Sequence, residues 1–148
     1  MSPVTTEQLL DTLLRIADAL GADMDGYLRR YGLTPTRAHL LWTLHTRGPS
    51  KQRDLARALG HSPRHVTTLV DELAAAGHVT RQVHPEDRRA VLVELTPVAA
   101  DLLEEMAAAR IELAGQLFGQ LSPDTRTQLG HQLTELGQRL AALVEAQP

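Results

Sequence analysis

The side chains best suited to chemistry form a short polar cluster near the middle of the chain. The cluster comprises Arg64, His65, Thr67 and Thr68. An arginine can donate two parallel hydrogen bonds to guanine, and a threonine can bond a base edge or touch a thymine methyl group. These groups bind phosphates and base edges without breaking covalent bonds. The cluster therefore indicates contact with nucleic acid.

A second basic group lies farther along the chain, where Arg88 and Arg89 follow Asp87 in the polar segment 84–90. At the tip of a hairpin, such arginines can enter a narrow minor groove, where the negative potential is enhanced. An arginine pair that only keeps a surface turn soluble is the alternative for an isolated hairpin. Here the hairpin directly follows the segment that carries the first cluster, and this order favours contact with DNA.

Other kinds of chemistry have little support in the sequence. The chain has no cysteine, which excludes disulfides, thiolate metal sites and cysteine nucleophiles. His61 and His65 have a spacing that can bind metal on a helix, but His61 precedes the Ser62 cap and no carboxylate pair is near. Acidic residues at 101, 104 and 105 match the dipole of a helix start. We therefore expect no metal, no cofactor and no enzyme activity.

Ser-Pro and Thr-Pro pairs mark the starts of several helices that position these clusters. A Ser or Thr hydroxyl caps free backbone N–H groups, and proline fits the first helical position. Helices are predicted at 6–31, 35–47, 51–59, 62–76, 97–120 and 123–144, with Ser50 as a further candidate cap. Alternating runs at 79–83 and 91–95 around the polar loop predict a β-hairpin.

The predicted third and fourth helices have the spacing of a helix-turn-helix. Ala56 allows close approach of the two helices, Gly60 allows a left-handed turn, and Val66 supplies a branched apolar group for the inner face. On a helical wheel, Val66 and three further apolar residues form the predicted buried face of the fourth helix. Arg64 and Thr68 lie on the opposite face, and His65 and Thr67 lie at its flanks. An ordinary helical hairpin with a solvated polar face is the alternative.

The net charge of −3 is unevenly distributed along the chain. Nine basic and six acidic residues between Arg37 and Pro97 leave this segment at +3, and the remainder of the chain carries −6. A difference of a few charges can arise by chance. It gains meaning here because the positive segment contains the helix-turn-helix and the hairpin.

With these elements in place, the chain resembles the multiple-antibiotic-resistance regulator (MarR) family. The most specific match is the wing motif Asp87-Arg88-Arg89-Ala90-Val91-Leu92-Val93-Glu94-Leu95-Thr96. Leu33-Thr34-Pro35 is similar to the start of the family's second helix. Leu69-Val70-Asp71-Glu72-Leu73, followed by Gly77-His78-Val79, is similar to its recognition helix running into the wing.

The resemblance implies a mainly α (α+β) winged helix-turn-helix fold with a two-stranded wing. Residues 1–148 would form one MarR-like chain, with a DNA-binding lobe at 35–96 and dimerisation helices at 5–32 and 97–146. The apolar stripes of the first and last helices agree with dimerisation. They are Leu9, Leu13, Ile16, Leu20, Met24 and Leu28, then Leu129, Leu133, Leu136, Leu140 and Leu143.

The resemblance implies a homodimeric transcription regulator that acts as a repressor by binding a pseudo-palindromic site on double-stranded DNA. The residues expected at DNA are Ser62, Arg64, His65, Thr67, Thr68, Arg88 and Arg89, with Asp87 orienting an arginine. A small aromatic or phenolic effector is expected near Arg15, His39, Trp42 and Arg110. For these four residues, packing, solvated charge or dimer contact is the alternative.

The remaining expectations concern the compartment and the rival functions. No signal peptide or membrane span is predicted, which favours the cytoplasm. A DNA-binding or architectural protein without a ligand response is the first alternative. A small helical enzyme is the second alternative, and no motif supports it. An interaction module whose helix-turn-helix has lost DNA binding is the third, and Arg64→Ala and Arg89→Ala would separate it from a regulator.

Overall fold

The computed structural model describes residues 3–146 as six helices and three short strands. The elements are α1 (Thr6–Arg30), α2 (Pro35–Arg47), β1 (Ser50–Lys51), α3 (Gln52–Leu59), α4 (Pro63–Ala75), β2 (Val79–Val83), β3 (Val91–Leu95), α5 (Pro97–Phe118) and α6 (Pro123–Glu145). The predicted domain bounds and the N-terminal interpretation also include Met1, Ser2, Gln147 and Pro148, which lie outside the described residues. The chain divides after Leu103 into two compact units.

All four predicted Ser/Thr-Pro caps form as hydrogen bonds. In each case the cap hydroxyl accepts the backbone N–H three residues later, and a proline follows at the first helical position; the caps are Thr34, Ser62, Thr96 and Ser122. The helix starts are therefore set by local sequence, which explains why the predicted and observed starts agree within about one residue.

The sheet has three antiparallel strands in the order β1-β3-β2, where two strands were predicted. β2 and β3 form the expected hairpin, with Val79 opposite Leu95, and β1 adds Ser50 opposite Val93. The interpretation of Ser50 as a helix cap was wrong: its hydroxyl donates to the Gly48 carbonyl (2.9 Å), and Lys51 precedes α3 without a side-chain cap. Two residues are too few to show the alternation that identifies a strand.

The core of the first unit is built almost entirely from aliphatic side chains. The buried residues of α2, α3 and α4 are Ala38, Leu40, Leu41, Leu44, Leu55, Ala56, Val66, Leu69, Val70 and Leu73. Val79 and Val93 contribute from the sheet, and α5 contributes Ala99, Leu102 and Leu103. The predicted inner face of the fourth helix is confirmed, so the opposite face of α4 is fixed toward solvent.

Three helices, α1, α5 and α6, leave large apolar side chains exposed, and Ile111 of α5 is 74% exposed. In α1 only Leu28 is buried, whereas Leu9 is 60% exposed and Met24 is 58% exposed. In the second unit, α6 has no buried residue, and Leu140 and Leu143 are 57% and 66% exposed. None of the helices within residues 3–146 combines enough length with enough apolar character to cross a bilayer.

Candidate nucleic-acid interface

A tight turn at Gly60 separates α3 from α4. Gly60 has φ 66° and ψ 28°, the left-handed conformation that costs an L side chain energy but costs glycine little. Its N–H and that of His61 bond back to the Ala56 carbonyl, at the end of α3. The chain can therefore reverse in a few residues and begin α4 at Pro63.

The exposed N-terminal half of α4 carries the predicted DNA-contact residues. Arg64 has no hydrogen-bond or ion-pair partner for its side chain among residues 3–146, so the guanidinium is available to a ligand. The His65 ring packs edge-on against His61 with ring centroids 4.7 Å apart. The Thr68 hydroxyl donates to the Arg64 carbonyl (3.3 Å), and Ser62 accepts the His65 N–H (3.1 Å).

Thr67 lies in the same turn, and its hydroxyl makes two hydrogen bonds where that of Thr68 makes one. Its hydroxyl accepts a hydrogen bond from Gln52 Nε2 (2.8 Å) and donates one to the Pro63 carbonyl (2.9 Å). The helical wheel placed Thr67 at the flank of the exposed face, and the structure shows that this flank contacts α3.

The wing loop, residues 84–90, is held by bonds between its own residues. The His84 N–H bonds to the Ala90 carbonyl (3.1 Å), and the Asp87 carboxylate accepts the Arg89 N–H (3.1 Å). Asp87 thus orients the main chain at Arg89 and forms no ion pair with an arginine among residues 3–146. Within the described residues, the side chains of Arg88 and Arg89 have no partner and are exposed.

A cleft of ≈ 500 Å³, here called the wing cleft, lies between the starts of α3 and α4 and the wing. Its lining residues are Lys51, Gln52, Arg53, Pro63, Asp87, Arg89, Ala90 and Val91. Sequence reasoning gave no role to Lys51, Gln52 or Arg53. Their position at the start of the first helix of a helix-turn-helix was the available signal, but only the folded chain places them beside Arg89.

Two further arginines tie α4 to other elements and neutralise its acids. Arg37 of α2 donates from Nε and Nη2 to Glu72 Oε2 (3.0 and 2.7 Å). Arg81 of β2 contacts the Asp71 carboxylate at 2.5 Å and donates to the Thr67 carbonyl at 3.2 Å. With both acids of α4 paired, the cations of the wing cleft and Arg64 dominate the local charge.

The four predicted effector-site residues are divided between the two units of the chain. Arg15 and His39 are exposed, Trp42 is half-buried against the His45 ring at 5.5 Å, and none of these three lines a described cleft. Arg110 belongs to the second unit. Among residues 3–146, no group of three or more His, Cys, Asp or Glu side chains is placed to hold a metal ion.

Comparison with known proteins identifies the same region. A family model described as MarR family matches residues 33–91. The chain is 31% identical over 101 residues to the uncharacterized HTH-type transcriptional regulator YkoM of Bacillus subtilis (strain 168), covering 68% of this chain and 66% of the relative. It is 30% identical over 118 residues to a second such regulator of the same organism, YhbI, covering 80% and 77%.

A solved structure with the same fold contains DNA. A single-residue mutant of the Staphylococcus aureus regulator MepR, bound to an oligodeoxyribonucleotide, aligns with a TM-score of 0.67 and 25% identity. The alignment covers 93% of this chain and 99% of that one. These relatives and this neighbour are regulators by description, and none is described as an enzyme.

Proposed function

Because the chain belongs to the MarR family of DNA-binding transcriptional regulators, we propose that it is a repressor that binds a pseudo-palindromic operator as a homodimer and is released by a small aromatic ligand. Winged helix-turn-helix dimers place two recognition helices about one turn of DNA apart. A regulator acts where the DNA is, so the proposed compartment is the cytoplasm.

The proposal depends mainly on one observation: the same lobe presents unpaired arginines at two places, the start of α4 and the wing loop. Among residues 3–146, the exposed side chain of Arg64 at the start of α4 has no hydrogen-bond or ion-pair partner. The same holds for Arg88 and Arg89 in the wing loop. In the proposed complex, Arg64, His65 and Thr68 contact base edges or phosphates in the major groove. Arg89, assisted by Arg88, enters the adjacent minor groove.

The wing cleft supports the same docking. A DNA strand that passes from the major to the minor groove must cross between the recognition helix and the wing. The cleft in that position is lined by Lys51, Arg53 and Arg89, and Ser62 lies at the neighbouring helix start, where N–H groups favour phosphate. In this proposal the cleft residues bind phosphate and set the register without reading sequence.

The exposed apolar stripes of α1 and α6 support the homodimer. A soluble chain that leaves Leu9, Met24, Leu140 and Leu143 mostly exposed gains free energy by covering them, and each buried apolar Å² contributes about 25 cal/mol. A second copy of the chain offers the same stripes. In the proposed dimer, residues 5–32 and 97–146 form the interface, and 35–96 forms the DNA-binding lobe.

The proposal includes a small aromatic effector that binds the protein and releases it from the operator. Arg15, His39, Trp42 and Arg110 are the proposed ligand contacts. A ligand that binds the native protein must raise its thermal unfolding midpoint, and an effector must also weaken operator binding. A screen of phenols and aromatic acids in which none does both would favour the alternative, a DNA-binding protein without a ligand response.

The test of DNA binding starts with genomic fragments that the purified protein retains at a stated moderate salt concentration, since phosphate contacts make affinity salt-dependent. On the fragment recovered most often, we expect Arg64→Ala and Arg89→Ala each to weaken specific binding by about 1–3 kcal/mol. Fluorescence anisotropy measures both affinities, and sedimentation checks that the dimer is intact.

The matched control is Arg57→Ala. Arg57 is an arginine of the same lobe, its side chain is 81% exposed, and it does not line the wing cleft. We expect it to change the affinity less than twofold, which is about 0.4 kcal/mol. Equal affinities for the wild type, Arg64→Ala and Arg89→Ala would contradict the docking, and failure to retain any fragment would contradict DNA binding itself.

A further inference from the structure

The hydroxyl of Thr67 forms two hydrogen bonds within the protein, and one of them uses its only proton. It gives its single proton to the Pro63 carbonyl and accepts a hydrogen bond from Gln52 Nε2. A hydroxyl has one proton and two acceptor lone pairs. Thr68 also donates to the carbonyl four residues earlier, but only Thr67 of the two also accepts a hydrogen bond from another helix, so a base contact by Thr67 would cost bonds within the protein on both sides of the hydroxyl.

The backbone of Thr67 is used as well. Arg81 of β2 donates from Nη2 to the Thr67 carbonyl, and its Nη1 contacts the Asp71 carboxylate. Thr67 and Asp71 are one helical turn apart, so the planar guanidinium spans two points along the axis of α4. A two-point contact by a rigid fork fixes direction as well as distance.

Together, Gln52, Thr67, Asp71 and Arg81 link three elements, and we call this set the joint. Gln52 belongs to α3, Thr67 and Asp71 to the recognition helix α4, and Arg81 to the wing strand β2. The free cations lie on either side of the joint, Arg64 on α4 and Arg89 in the wing loop.

We propose that the joint fixes the wing relative to the recognition helix, so that Arg64 and Arg89 engage adjacent grooves in one binding event. Gln52 and Arg81 are positioning residues, and Thr67 serves the joint and reads no base. The inference rests on the DNA binding proposed above. A fixed link makes the second contact intramolecular, whereas a loose wing must be ordered anew in each complex.

The joint is better suited to fixing geometry than to adding stability. Gln52 Oε1 is buried without a partner in the described residues, which offsets the bond made by the same amide. The Arg81–Asp71 pair is partly exposed, at 32% and 59% of the two side chains, and pairs of this kind add little to folding. Removing these groups should therefore change DNA binding more than it changes the unfolding midpoint.

The test measures how much Arg89 contributes when the joint is intact and when it is broken. Arg89→Ala is combined with Gln52→Met, Arg81→Gln and Thr67→Val, and affinity is measured on the fragment retained by the wild type. We expect Arg89→Ala to weaken binding about tenfold in the wild-type background and about twofold or less in each joint variant, because coupled contacts are non-additive. Thr67→Ser keeps the hydroxyl and should retain the full tenfold effect.

Two further readouts separate positioning from other roles. Selection of binding sites from random DNA should return the same base preferences for Thr67→Val as for the wild type. The slope of log affinity against log salt should fall no further in Arg81→Gln than it does in Arg89→Ala, because Arg81 itself contacts no phosphate in this proposal. Thermal unfolding confirms that each variant is folded at the assay temperature; if Arg81→Gln is not, Gln52→Met and Thr67→Val carry the test.

The inference is overturned by an equal loss on Arg89→Ala in every background, by a changed base preference in Thr67→Val, or by a salt slope that falls further in Arg81→Gln than in Arg89→Ala. Each of these outcomes leaves DNA binding by the wild type in place. Loss of DNA binding by the wild type itself would be a different result, and it would remove both the proposed function and the joint's role.

Discussion

The basic side chains of the DNA-binding lobe fall into two groups with different tasks. Arg37 and Arg81 are half withdrawn from solvent and hold the acids of α4. Arg64, Arg88 and Arg89 have no partner among residues 3–146 and remain free for a ligand. The composition alone does not distinguish these groups, because an arginine contributes the same formal charge in either. The pairs with Arg37 and Arg81 offset the negative charge of the two acids of α4.

Lys51 and Arg53 are predicted to act through phosphate alone. Both line the wing cleft, and neither has a side-chain partner in the described chain. We expect Lys51→Gln and Arg53→Gln to weaken binding to operator and to unrelated DNA by similar factors, and each to reduce the salt slope by about one. Titrations at four salt concentrations measure the slope, with Arg57→Gln as the control outside the cleft. Unchanged slopes in both variants would exclude a phosphate at this cleft.

At the scale of elements, the recognition helix is presented by a turn of very few residues. α3 ends at Leu59 and α4 begins at Pro63. Gly60 supplies the left-handed geometry and Ser62 caps the next helix, so each residue of the turn satisfies backbone groups that a helix end would otherwise leave unpaired. The angle of α4 therefore depends on the backbone conformation at Gly60.

Replacing Gly60 should test this dependence directly. A Cβ at Gly60 would meet nothing within 4 Å, so a penalty can come only from the backbone conformation. We expect Gly60→Ala to lower the free energy of unfolding by about 1–2 kcal/mol, and Gly60→Asn to lower it less because asparagine tolerates the left-handed region. Urea unfolding measures both. Equal losses in the two variants would show that the left-handed conformation is not the cause.

At the scale of the whole molecule, the uneven charge and the apolar stripes belong to different elements. The segment from Arg37 to Pro97 has a charge of +3, although the chain has −3. The acidic flanks include α1 and α6, which also carry the exposed apolar residues. An acidic total is therefore compatible with DNA binding, since the field near the recognition helix is set by local charge.

The dimer proposal predicts a sharp effect from one charge placed in the α6 stripe. Leu136 is 40% exposed and lies on the same helical face as Leu133 and Leu140. We expect Leu136→Glu to shift the sedimentation coefficient to that of a monomer. It should also abolish operator binding, because the two DNA-binding lobes are no longer held together. Gln138→Glu adds the same charge on the opposite face and should remain dimeric. A dimeric Leu136→Glu protein would show that the copies associate elsewhere.

The helices, the hairpin and the outward face of α4 could be predicted because their signals are local. Caps such as Ser62-Pro63 fix helix starts within a few residues, and the spacing of Val66, Leu69 and Val70 fixes which side is buried. The relatives and the family match confirm the family that the wing motif indicated. The effector contacts at Arg15, His39, Trp42 and Arg110 stay predictions.

The amino-acid sequence by itself determined the helices, the hairpin, the inner face of α4 and the family, since each depends on residues a few positions apart. Only the tertiary structure decided that Ser50 joins a strand, that Lys51 and Arg53 face Arg89, and that Thr67 bonds to Gln52. Those outcomes depend on residues that are distant in sequence: Gln52 and Thr67 are 15 positions apart, and Arg37 and Glu72 are 35 apart. A hydrogen bond acts only over about 3 Å, so such partners are set by how the helices pack, which no local pattern specifies.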